Sequence, residues 1–242
     1  RHDHPDHHRL QARTLRALLS LETRPVAYEM LDEDDAEHIV ELASAEQLAS
    51  RVNWDKSGWP AFSMYAPVFE ATIKANGQVV AALPRKSRIR EHAMAAYTSS
   101  QPVVDSEAKK HLSPAALDTL RDDIETGHCG YANEAMVAAM VKVQTFKDRW
   151  MAKSLTDAST KAVLIAGNGH VRKDYGIPNV LPGQTLSIGI VEVDDKHLRV
   201  QDYPLERYDF IWFTPRIDET DPCDVFREQL EQMRHPGAGS PK

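Results

Sequence analysis

The stretch that most constrains this chain is KAVLIAGNGHVR, Lys161 to Arg172. Ala162 to Ala166 is a short, continuous apolar run rich in β-branched side chains. Such a run reads as a strand buried on both faces, as in a parallel sheet. It stops abruptly at Gly167, Asn168, Gly169 and His170. Two glycines around an asparagine allow a backbone turn that most residues resist. The turn is expected to place His170 just past the carboxyl end of the strand, the edge where open α/β sheets bind ligands. The alternative is a tight strand-to-helix turn carrying an ordinary surface histidine.

The sequence before this stretch fits the same architecture. Pro5 to Leu21 reads as a helix: Pro5 suits the first turn, Asp6 favours the positive end of the dipole, and Leu10, Leu15, Leu18 and Leu19 form a stripe. Val26 to Leu31 and Gln78 to Leu83 read as strands, with helical pattern over 36–52 and 60–75 between them. Strand, helix, strand is the order of βαβ units. From Ser87 to Ala158 the pattern is helical only, which predicts an all-helical insertion over a sheet edge. Strands resume at Thr185 to Val193 and Phe210 to Phe213, and Cys223 to Arg234 reads as a terminal helix. The expected fold is α/β: one domain over 1–235 with a mostly parallel central sheet, flanking helices and an insertion at about 87–158. Residues 236–242, with Pro, Gly and Ser, read as a disordered tail.

Charge and cysteine content narrow the functional classes. Twenty-nine basic against 36 acidic residues give a net charge of -7, which argues against nucleic acid as a partner. No apolar run approaches the length of a membrane span. The two cysteines, Cys129 and Cys223, form no C-x-x-C and leave one disulfide or two buried thiols open. Four of the 11 histidines fall in the first eight residues, as RHDHPDHH. Interleaved with Asp and Pro, this cluster is unlike a tag. Imidazoles and carboxylates at such density can bind a metal or exchange protons.

RHDHPDHHRLQ resembles the end of the G-E-x-H-D-x-x-x-H-H motif of the ChaN-type haem-binding lipoproteins, a family grouped with Tiki-type metalloproteases and erythromycin-esterase-like hydrolases. The likeness continues in order through WDKSGWPAFSMYAPVFEA, AALPR, GHCGYANEAM, VLIAGNGHVRKDYGIP, FIWFTP and DPC, nearly the whole chain. It implies an α/β core with added helices, and haem binding in bacterial iron uptake or handling. It also implies the bacterial cell envelope, as a periplasmic or outer-membrane lipoprotein. No signal peptide is visible, so membrane attachment is expected through a segment ahead of Arg1. A homodimer is compatible with the resemblance. Because such proteins are exported and both cysteines lie in matching segments, the resemblance implies a Cys129–Cys223 disulfide.

His2 matches the histidine of the family's first G-x-x-H, and His170 that of the second, with Gly167 as its glycine. The motif's own glycine and glutamate fall ahead of Arg1. For a related metal-dependent hydrolase, His2 and His170 would be catalytic, and His2, Asp3 and His170 would hold a divalent metal. Haem instead needs an axial ligand, cations for its propionates and an apolar slot. Candidate ligands are Tyr65, Tyr97, His128 and Tyr131. Arg85, with Arg88 and Arg90, is a candidate for the propionates. The Met-rich side of the long helix (Met136, Met140, Met151) reads as packing. A structural or partner-binding protein with neither activity is the third reading.

Overall fold

The computed structural model describes residues 2–97, 108–219 and 221–225. The elements run α1 (Pro5–Leu21), β1 (Val26–Asp32), α2 (Ala45–Arg51), α3 (Phe62–Lys74), β2 (Val79–Leu83), α4 (Lys86–Tyr97), α5 (Pro114–Gly127), α6 (Glu134–Ala158), β3 (Val163–Ile165), β4 (Ile188–Glu192), β5 (Phe210–Thr214) and α7 (Pro222–Val225). The fold is α/β, and every strand pairing is parallel. Two compact units divide the chain: residues 1–86 with 147–215, and residues 87–146 with 216–242. The division falls inside α6. The tail expected at 236–242, and the terminal helix expected beyond Val225, lie outside the described residues.

In the first unit β1 is the middle strand of the order β2-β1-β3. It is buried along almost its whole length, which is why its sequence, VAYEMLD, carries apolar residues on both faces. Side chains alternate across the sheet. Val26, Tyr28 and Met30 enter one core with Leu15 and Leu19 of α1 and Val68 and Phe69 of α3. Ala27 enters the other, with Met151, Ala152 and Leu155 of α6. The Tyr28 hydroxyl meets Thr72 Oγ1 of α3 at 2.6 Å, a buried pair that fixes helix against strand.

The five expected strands are present, but they form two sheets rather than one: β2-β1-β3 and β4-β5. The reason lies at Asn168. Strand β3 ends at Ile165, before it can pair with β4. The Asn168 side chain stands in for the missing strand: its Nδ2 donates to Ile190 O at 2.6 Å, and its Oδ1 accepts from Ile190 N at 3.3 Å. A carboxamide offers one donor and one acceptor, as a peptide group does. Asn168→Leu is therefore expected to cost about 1–3 kcal/mol, because both groups of Ile190 lose their partner. Denaturant midpoints of the two proteins measure this, and a difference below about 0.5 kcal/mol would show that water takes over both bonds.

The opening histidines fasten α1 to the end of β5. His4 is the N-cap: its Nδ1 accepts from Asp6 N, and its Nε2 meets Pro215 O at 3.0 Å. The accepting Nδ1 leaves the proton on Nε2, which therefore donates. His7 stacks flat on His4, with centroids 4.0 Å apart, and reaches Thr214 Oγ1 at 3.0 Å.

The second unit contains α4, α5 and the N-terminal part of α6. Ser113 caps α5 by accepting from Ala116 N. Buried positions Val137, Val141, Thr145, Asp148, Ala152 and Leu155 make one continuous stripe down α6. Cys129, with φ at +54°, and Gly130, at +71°, turn the chain between α5 and α6. Cys129 is bonded to Cys223 of α7, with Cα atoms 5.9 Å apart. Among the described residues no helix is long and apolar enough to cross a membrane.

Candidate functional site

The centre of the first unit is a carboxylate inside the sheet. Glu29 sits on β1 and is 4% exposed. By alternation it faces the same side as Ala27, toward α6. A charge in that position must be paired or become neutral. It is paired three ways. Gly167 N donates to its Oε2 at 2.7 Å. His170 Nε2 lies 3.3 Å from its Oε1, and His2 Nε2 lies 4.0 Å from its Oε2. The two histidines therefore converge on one carboxylate at the carboxyl end of β3.

His170 is held from the other side as well. Its Nδ1 meets Asp148 Oδ1 of α6 at 2.5 Å. With a carboxylate on each nitrogen, the ring is stable as a cation. Burial alone would lower its pKa, but Glu29 and Asp148 outweigh burial and raise it to about 10. Burial acts to raise the Glu29 pKa, yet the His170 charge outweighs it and holds the carboxyl at about 2. Burial pushes the Asp148 carboxyl up, and its buried Oδ2 has no hydrogen-bond partner.

Two glycines make this packing possible through space, not through φ. The expected turn forms, with His170 N donating to Gly167 O at 3.0 Å, although neither Gly167 nor Gly169 adopts a positive φ. A Cβ on Gly167 would stand 3.1 Å from His2 Nε2 and 3.5 Å from Glu29 Oε2. A Cβ on Gly176 would stand 2.5 Å from His170 O and 2.7 Å from Arg172 O. The chain there folds back on itself, and Ile177 N donates to His170 O at 2.8 Å.

His2 lies at the mouth of this cluster. Its carbonyl accepts from His8 Nε2 at 2.8 Å and from the Tyr65 hydroxyl at 3.0 Å. Its ring leans on Trp59, centroids 4.7 Å apart, and its side chain keeps 37% of its exposure. Burial lowers the His2 pKa despite the opposing Glu29 charge. Burial lowers that of His8 too. His8 Nδ1 meets the Gln11 side-chain carboxamide at 3.0 Å. The cluster can hold a proton on His170 and offers a neutral, reachable imidazole beside a carboxylate, the elements of acid–base chemistry.

Of the other residues singled out from the sequence, Tyr65 is fully buried with its hydroxyl on the His2 carbonyl. Arg85 is turned onto Glu33 and Asp34. Asp3 is exposed. Tyr97, His128 and Tyr131 belong to the helical unit. Among the described residues no group of three His, Cys, Asp or Glu side chains is arranged to hold a metal ion.

Sequence reasoning missed Glu29 and Asp148. Both carried a signal. Glu29 interrupts a strand that must be buried on both faces, and Asp148 occupies a position on the apolar stripe of α6.

Comparison with known proteins agrees with this architecture. A solved structure described as cofacial heme binding to ChaN of Campylobacter jejuni superposes with a TM-score of 0.68 at 23% identity, over 87% of this chain and 83% of that one. No curated protein matches. The model of the family described as haem-binding uptake, Tiki superfamily, ChaN matches residues 1–181 of the 242, and the chain belongs to that family.

Proposed function

We propose that this chain binds haem and takes part in bacterial haem or iron uptake or handling. The observation that carries the reading is the family match over residues 1–181. The Campylobacter relative's description names cofacial haem, and a face-to-face pair of haems fits a homodimer. The helical unit offers groups haem would need. Tyr97 is 46% exposed, and His128 is fixed by donating Nδ1–H to Ile124 O at 2.7 Å. Placement in the cell envelope is part of the same proposal, supported by the Cys129–Cys223 bond, which persists in oxidising compartments.

The test is a haemin titration followed at the Soret band. The parent protein is expected to give a saturable shift, altered in at least one of Tyr97→Phe, His128→Ala and Tyr131→Phe. A parent with no saturable shift would remove the haem reading.

One observation favours a second reading. Haem binding gives no reason to bury the Glu29–His170–Asp148 chain with His2 at its mouth. A hydrolase using His2 and His170 would have a reason. Among the described residues no three His, Cys, Asp or Glu side chains are arranged to hold the metal that the resemblance implies. The reading therefore rests on acid–base chemistry alone. A panel of ester and peptide substrates tests it: turnover that His2→Ala abolishes supports it, and no turnover by the parent removes it.

A further inference from the structure

Strands β4 and β5 pair in register, so Ile188 and Ile190 stand beside Phe210 and Trp212 on one face of their sheet. Thr214 is the next position of β5 on that face. Helix α1 covers this end: His7 reaches Thr214 Oγ1, and Thr214 is 3% exposed. Farther back along β5 the cover is lost. Trp212 is 42% exposed and Phe210 is 60% exposed. Ile188, and Leu186 just ahead of β4, are exposed as well. Single exposed apolar side chains are ordinary, but neighbouring ones mark a surface that something covers.

The surface beside this face is cationic. Arg9, Arg13 and Arg16 recur at helical spacing on the exposed side of α1. Arg9 is paired with Asp6. Arg13 and Arg16 have no carboxylate within ion-pair distance among the described residues. Arg13 lies over Trp212, its guanidinium carbon 5.9 Å from the ring centroid. An arginine over an exposed indole suits a membrane interface. The ring turns its apolar body toward the acyl chains, and the guanidinium keeps to the phosphates. The net charge of -7 does not oppose this. Screening acts over about 10 Å at ordinary salt, so carboxylates elsewhere on the chain are largely hidden from a surface held at Arg13.

We propose that the uncovered face of β4 and β5, with the arginine stripe of α1, docks on the surface of an anionic lipid bilayer. Ile188, Phe210 and Trp212 enter the boundary between headgroups and acyl chains, and Arg13 and Arg16 meet lipid phosphates. All of these residues belong to the first unit, and the docking needs neither haem nor catalysis. A second copy of the chain is a poorer occupant. A two-fold dimer sets a patch against itself, and Arg13 and Arg16 would then face like charges. An acidic protein would match the charges, and the experiment separates it from lipid.

The experiment is sedimentation of the full chain with vesicles, either mixed phosphatidylglycerol and phosphatidylethanolamine or phosphatidylcholine alone, at low and high salt. The parent is expected to pellet with the anionic vesicles at low salt, to be released by high salt, and to stay in solution with phosphatidylcholine. Arg13→Gln/Arg16→Gln should bind the anionic vesicles roughly 30-fold more weakly, about fivefold per arginine. Phe210→Ser should also bind more weakly, with its salt dependence unchanged. Brominated acyl chains should quench the parent's fluorescence, and Trp212→Phe should lose most of that quenching. Thermal melts of Phe210→Ser and the double arginine variant should match the parent, because all three side chains are exposed. A parent that ignores anionic vesicles, or variants that bind them as tightly as the parent, overturns the proposal. So does a parent that stays in solution and forms a dimer which Phe210→Ser breaks, or that binds a poly-glutamate peptide in place of vesicles, since the patch would then belong to a protein.

Discussion

His170→Ala is expected to destabilise the protein by about 3–5 kcal/mol, the range for removing one member of a buried ion pair. The loss is large because two carboxylates are left behind. Glu29 and Asp148 are both buried, and each has His170 as its nearest cation. The effect also carries a pH signature. His170 has a folded pKa of about 10 against an ordinary 6.5. A raised cation pKa contributes stability that is complete below 6.5 and is lost as pH rises toward 10. Glu29, held at about 2 against 4.5, contributes stability that is present above 4.5 and lost as pH falls toward 2. Asp148, raised by burial, works against Glu29 on the acid side, so the alkaline limb is the cleaner test. Urea melts across pH 6 to 10 should show the parent losing stability faster than His170→Ala, so that the two curves converge. Parallel curves, or a loss under about 1 kcal/mol at neutral pH, would show that the His170 charge is not held as the geometry indicates.

Removing the Cys129–Cys223 bond should cost about 2–5 kcal/mol. The bond closes a loop with a sequence separation of 94 residues, and a long closed loop removes much freedom from the unfolded chain. Both half-cystines lie in the helical unit, so its helices should lose protection from hydrogen exchange first. The Cys129→Ser/Cys223→Ser double variant avoids a stray thiol, and thermal melts of it against the oxidised parent give the difference. Equal melting points would mean that the helical unit holds together without the bond. Thiol titration of protein from an oxidising compartment is expected to find neither cysteine reactive, and two free thiols would contradict the pairing.

Much of the fold could be read from local pattern, because local pattern is set by burial. Ala162 to Ala166 read as a strand buried on both faces, Val26 to Leu31 as a strand, and Pro5 with Asp6 as the start of a helix, all from neighbours along the chain. His2 and His170 were marked by their motifs. The partner that joins them was not. Glu29 is one acidic residue among 36 acidic ones, and only the packing of β1 between two cores shows that its charge is out of water. Asp148 was hidden in the same way, as one polar side chain on a helix that its neighbours make apolar. Gly167 was noticed for the turn it opens, and what could not be read was the room taken there by His2 and Glu29, a distance between segments remote in sequence. The division into two sheets turned on one side chain, Asn168, which takes the place of a strand that its own sequence position cannot announce. Sequence determined which segments are buried, because hydrophobic period is a property of neighbours along the chain. Tertiary structure decided which charges meet, because the field at Glu29 is made in large part by His170 and Asp148, both more than a hundred residues away along the chain.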